Sequence, residues 1–169
     1  MKNLLAVLIL NALLIPFSGF AQKKIFVGST GVSLSSPCQP VTDRSQSKDS
    51  STVYNGECQT AGQTYGFILV KLLHPKTDLA EAEKITADYL QYLNQNFNIT
   101  HAEGYQGGLK LNNDEKTRGI RDQWGDAQGN KWQVAAWTNG KFISVLYTYG
   151  KKIQESTTAL FLNSLRFPQ

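Results

Sequence analysis

The chain has 169 residues, 41% hydrophobic and 18% charged, with a formal net charge of +4 at neutral pH. That length suits one ordinary globular domain with a real core. The slight basic excess comes without any dense Lys/Arg run, which argues against a nucleic-acid binder and for a solvated surface.

Residues 1–21 read as a cleaved signal peptide. Lys2 gives a positive start, Leu4 to Ile15 is an apolar run broken by Asn11, and Gly19-Phe20-Ala21 supplies small residues for a signal peptidase. The run is short for an uncleaved anchor. Cleavage after Ala21 leaves Gln22 first, and residues 22–169 as a single α+β domain. No cysteine sits at the cleavage site to carry a lipid, and no later stretch is apolar enough to cross a membrane. The expectation is an exported, periplasmic or secreted bacterial protein with no stable membrane insertion after signal cleavage.

Lys24 to Val27 and Val32 to Ser35 are short strand candidates separated by a Gly-Ser-Thr-Gly turn. Cys38 and Cys58, an even count in an exported chain, favour one disulfide over two free thiols. It would close a loop of about 20 residues, worth on the order of 3 kcal/mol. Asp43 to Ser51 is polar and serine-rich and reads as a mobile loop. Thr52 to Thr60 resumes extended structure, with Tyr54 and Cys58 on one side and Asn55-Gly56 as a turn or bulge.

Tyr65 to Leu73 is almost continuously apolar, as a strand buried on both faces would be. A helix follows. Asp78 to Glu81 fits a capping box, and Leu79, Ala82, Ile85, Tyr89, Leu90, Leu93 and Phe97 mark one face ending near Asn96. Ile99 to Glu103 is a further strand candidate, and Gly104 to Asp114 reads as a glycine- and asparagine-rich loop.

Lys116 to Tyr149 reads as a three-strand meander carrying all three tryptophans. Asn139-Gly140 suits a two-residue type I′ turn. That turn would place Trp137 opposite Phe142 and Trp132 opposite Tyr147. Alternation puts Trp132, Val134, Ala136, Ile143, Val145 and Tyr147 on one face. Ala135, Trp137, Phe142 and Leu146 fall on the other, so both faces need cover. The first strand of the meander, about Lys116 to Trp124, looks nearer an edge. Lys152 to Ser164 places Ile153, Leu160, Phe161 and Leu165 on a helical arc.

The order is strands, helix, strands, helix. The expected fold class is α+β, a mainly antiparallel sheet flanked by helices in a three-layer α/β/α sandwich. The extended Val32 to Pro37, the strand-to-helix passage from Tyr65 to Asn96, the meander and the closing Phe161-Leu162-Asn163-Ser164-Leu165-Arg166-Phe167 together resemble the Mog1/PsbP-like family. The resemblance implies a mostly non-catalytic protein that binds partners or helps assemble complexes. It carries over no functional residue, and fold alone does not fix function.

No nucleophile elbow, Walker loop or zinc-protease motif is present in the sequence. No cofactor or metal site is expected, and catalytic residues are assigned to none. Cys38 or Cys58 beside His101 would make a thiol–imidazole pair only without the disulfide. Asn98-Ile99-Thr100 is a glycosylation sequon, expected to be unmodified. Trp124, Trp132, Trp137, Tyr147 and Tyr149 form a candidate binding surface, set against the simpler reading that aromatics fill the space between sheet and helices.

The functional expectation is a small exported binding or assembly domain of the cell envelope without catalytic activity. Its partner would be an unknown envelope protein or small ligand, met near the meander and the Gly104 to Asp114 stretch. Two alternatives remain: a hydrolase using Asp114, Glu115, Asp122 and Asp126, or a soluble ligand carrier with a hollow lined by Trp132 and Tyr147.

Overall fold

The computed structural model describes residues 22–168; the expected signal peptide and its cleavage site at Ala21 lie outside them. In chain order the elements are β1 (Lys23–Phe26), β2 (Ser33–Ser36), β3 (Val41–Gln46), β4 (Thr52–Thr60), β5 (Gln63–Lys71), α1 (Leu79–Asn96), β6 (Ile99–Leu109), β7 (Arg118–Asp126), β8 (Lys131–Thr138), β9 (Phe142–Gly150) and α2 (Glu155–Leu162). Seven strands form one antiparallel sheet in the order β3-β4-β5-β9-β8-β7-β6, and β1 pairs with β2 in a separate ribbon.

β5 lies inside the sheet and is buried along nearly its whole length. Gln63 to Val70 are all buried, with β4 on one side and β9 on the other. Its alternate residues feed two separate cores. Tyr65, Phe67 and Leu69 join Ala135, Trp137, Phe142 and Leu146 on one face. Ile68 and Val70 join Trp132, Val134, Ala136, Ile143, Val145 and Tyr147 on the other.

The second face is closed by α1. Asp78 caps it, its carboxylate accepting from Ala80 N at 2.8 Å. Glu81 does not complete a capping box; it pairs with Lys76 at 2.7 Å instead. Leu90 and Leu93 are buried against the sheet, each worth about 1.5–3 kcal/mol.

The first face is closed differently, and here the expected fold class is corrected. Ile25, Val27, Val32 and Leu34 of the β1–β2 region provide much of the cover, with Phe161, Leu162 and Leu165 beside them. The ribbon is bridged to the chain end through Ser33 and Arg166. α2 has only 8 residues, and Leu160, placed on the core arc from sequence, is 62% exposed. The chain is therefore mainly antiparallel β, largely a sandwich of the seven-stranded sheet and the two-stranded ribbon with two helices. It is not a three-layer α/β/α sandwich, because this face is closed by strands where a full helical layer was expected.

Parts of two expected loops, Asp43 to Ser51 and Gly104 to Asp114, are strand, which adds to the β content. Thr42 to Gln46 pairs along β4 as an edge strand, and Gly104 to Leu109 belongs to β6 at the opposite edge. Both are exposed nearly throughout, so neither carries an apolar period. β7 is consequently one strand in from the edge. Asn55 and Gly56 pair without a bulge.

Cys38 and Cys58 form a disulfide with Cα atoms 5.9 Å apart. It ties the segment after β2 to β4, and so the ribbon to the main sheet. Such a bond is kept in an oxidising compartment.

Candidate functional site

The aromatic residues proposed as a surface are core. Trp124, Trp132, Trp137 and Tyr147 are 3%, 6%, 3% and 3% exposed, and Tyr149 is half-buried. Phe97, at the end of α1, stacks on Trp132 with ring centres 5.2 Å apart and meets Tyr147 at 5.4 Å. Tyr149 stacks on Trp132 from the next strand at 4.1 Å. The hollow expected of a ligand carrier at Trp132 and Tyr147 is thus filled by Phe97. Trp137 lies on the opposite face, its ring over Gly119 of β7 where any Cβ would overlap it.

The four carboxylates each serve their own neighbourhood. Asp122 accepts from the Trp124 indole at 2.8 Å and Gln123 N at 2.9 Å. Asp126 accepts from the Trp132 indole at 2.9 Å and from Asn130 N and Nδ2 at 2.8 and 2.9 Å. Burial opposes the Asp126 charge, but these donors outweigh it and hold the carboxyl below the ordinary aspartate range. Asp114 caps the turn at Lys116, and Glu115 pairs with Lys110 at 2.6 Å. Among the described residues no group of three or more His, Cys, Asp and Glu is placed to hold a metal ion. Cys38 and Cys58 are bonded to each other, so neither offers a thiol to His101.

What remains open is a groove on the α2 side of β6, β7 and β8. α2 crosses this face pinned near both ends. Glu155 in its first turn accepts from Gln133 Nε2 at 3.1 and 2.9 Å, and Asn163, just past its last turn, accepts from Arg121 Nη2. Beside it lie two adjoining hollows of about 640 and 330 Å³, which share Gln123, Gln133 and Glu155. Gln123 of β7 stands directly opposite Gln133 of β8 in the middle. Arg121 lines one end, with Gly104 and Gln106 of β6 nearby. Lys131, Lys151 and Lys152 line the other, with His101 and Glu103.

Arg121, Lys131, Lys151 and Lys152 line this groove together with Glu103, Glu155 and Asp122, which leaves the lining slightly positive. Among the described residues the ion pairs are Lys76–Glu81 and Lys110–Glu115, His101 Nε2 lies 3.3 Å from Glu103, and none of these contacts involves Arg121, Lys131, Lys151 or Lys152. Arg121 rests its guanidinium 5.9 Å from the Trp137 ring centre, and its Nε is buried without a hydrogen-bond partner. Glu155 is held by Gln133, and Glu103 by His101 at 3.3 Å. The groove can therefore supply cationic donors and amides, the chemistry of anion recognition.

A larger cleft of about 810 Å³ lies between the ribbon and α2. Within it Ser164 Oγ accepts from Ser35 N at 2.9 Å and donates to Phe161 O at 2.7 Å. It braces the ribbon.

The sequence reading did not single out Arg121 as a site residue, nor Gln123, Gln133, Lys131, Lys151 or Lys152. One signal was there. Gln133 interrupts an otherwise apolar strand on the face of Ala135 and Trp137, and Arg121 and Gln123 alternate onto that same face.

No protein-family model matches this chain, and no curated protein matches it.

Proposed function

We propose that the chain is a small exported binding or assembly domain of a bacterial envelope, periplasmic or secreted after loss of residues 1–21, and that it binds through the α2-side groove. The observation that carries this reading is the contrast between the groove and the rest of the sheet. The α1 face is sealed by stacked aromatics, while the groove holds an amide pair and four cations without carboxylate partners. The acidic residues that a hydrolase would need are spent on tryptophan indoles and turns.

The test is site-specific photo-crosslinking in intact cells. A crosslinker replacing Gln123 should capture a discrete species that is lost when Gln133→Arg fills the groove. A crosslinker at exposed Lys48 should capture none of it. Capture from Lys48 alone, or none from Gln123 together with turnover of a substrate by the purified protein, would refute the reading. The mature N-terminus of the exported protein should be Gln22.

A further inference from the structure

The groove has an order along the strands that specifies more than a general taste for anions. Arg121 marks one end. Gln123 and Gln133 face each other in the middle, and Lys131, opposite Gly125, marks the other end with Lys151 and Lys152 just beyond β9. From Arg121 to Gly125 is about 13 Å of strand, the length of roughly four extended residues. In an extended peptide, side chains at i and i+4 point the same way.

We propose that the groove takes an acidic extended segment of a partner protein, with one carboxylate on Arg121 and a second, four residues along, among Lys131, Lys151 and Lys152. This rests on the groove being the binding site.

The chemistry at each position fits. An arginine whose only side-chain hydrogen bond among the described residues goes to the neutral Asn163 can turn its fork to a carboxylate, the pairing its planar donors match best. The buried, unpartnered Nε gains a partner in that movement. The lysines are point charges on flexible stems, suited to a carboxylate whose position is less fixed. Between the two ends, Gln123 and the free valences of Gln133 can pair with peptide N–H and C=O groups. The groove offers no exposed aromatic ring for a sugar to stack on: Trp124 and Trp132 border it along their strands, but their rings are packed into the core of the α1 face. An acidic glycan is therefore the poorer fit. Charge complementarity of this kind also speeds encounter and fixes register.

The probe is a fluorescein-labelled glycine–serine peptide carrying glutamates at i and i+4, titrated by fluorescence anisotropy into the purified exported protein. Controls carry the glutamates at adjacent positions, or lysines in their place, and an unlabelled oligogalacturonate competes as the glycan. The i, i+4 peptide should bind most tightly, and raising the salt should weaken it. Arg121→Gln should weaken it roughly tenfold, and Lys131→Gln, at an exposed position, roughly threefold. Binding that ignores glutamate spacing, equal binding of the lysine peptide, or indifference to both substitutions would overturn the proposal. So would tighter binding of the oligogalacturonate. Crosslinking from Gln123 reports separately on the groove itself: a captured partner alongside an inert glutamate peptide would mean that the ligand chemistry is wrong and the site right.

Discussion

Tyr147 on β9 donates its hydroxyl to Glu57 Oε1 on β4 at 2.6 Å, although β5 runs between them. The bond exists because the residue between the two in register is Gly66. A Cβ there would overlap the Tyr147 ring. Phe67 over Gly56 and Trp137 over Gly119 repeat the arrangement on the opposite face. Large rings thus lie flat across neighbouring strands, which lets two apolar layers pack on one sheet.

Gly66→Ala should accordingly destabilise the fold by about 2–3 kcal/mol, the cost of overpacking a tight site. Tyr147→Phe should cost about 1–2 kcal/mol for the lost bond to a charged acceptor. Urea denaturation of each single variant and of the pair checks this. The two effects should be strongly non-additive, because the first substitution already displaces the ring.

The same tyrosine sets an alkaline limit. Burial, then the bond and charge of Glu57, push its hydroxyl well above the ordinary value of 10.0. A group with a raised folded pKa contributes stability that is complete below its unfolded value and lost as pH rises through the folded one. Unfolding free energy should fall above about pH 10, and the fall should be shallower in Tyr147→Phe. An unchanged alkaline slope would place the effect elsewhere.

Asp126 sets an acid limit of opposite sign. Its folded pKa is lowered from 3.8, so its contribution is complete above that value and lost as pH falls through the folded one. Asp126→Ala should cost about 2–3 kcal/mol at neutral pH, because it strands the Trp132 indole and Asn130. It should also flatten the acid limb of a pH–stability curve.

Reducing the Cys38–Cys58 bond, or replacing both residues by serine, should lower stability by about 3 kcal/mol. Hydrogen exchange should rise first in β1 and β2, because the bond anchors the segment after the ribbon to β4.

The two faces of the meander were legible in the sequence although the layer covering one of them was not, and the reasons are specific. The meander's two faces came out right although its register was off by two residues. Trp137 pairs with Ser144 and Trp132 with Tyr149, whereas a two-residue turn would have set them against Phe142 and Tyr147. An even slip leaves every side chain on its own face. The turn itself departs from type I′ because Asn139 uses its side chain to accept from Lys141 N at 3.1 Å and Phe142 N at 3.0 Å, and only Gly140 has positive φ. Gly140 O and Lys141 O are taken by Lys76 N and Leu72 N, partners that no local pattern announces. The edge strand β3 and the second half of β6, from Gly104 to Leu109, escaped notice for a different reason, although Ile99 to Glu103 was legible as strand: an exposed strand needs only a neighbour's backbone, and Gly104 and Gly108 with positive φ let β6 bulge and stay paired. The groove escaped because it is made of polar residues on three strands and a loop, brought together by pairings that hydrophobic periodicity does not report.

The most direct test of the groove as the binding site is backbone amide NMR of the exported protein during titration with the i, i+4 glutamate peptide. The groove predicts saturable shifts at Gln106, Arg121, Gln123, Gln133 and Lys151, with the Arg121 Nε signal moving most and the α1 residues Ile85 to Leu93 unmoved. Shifts confined to the α1 face, or none at concentrations where the envelope partner is captured, would contradict it.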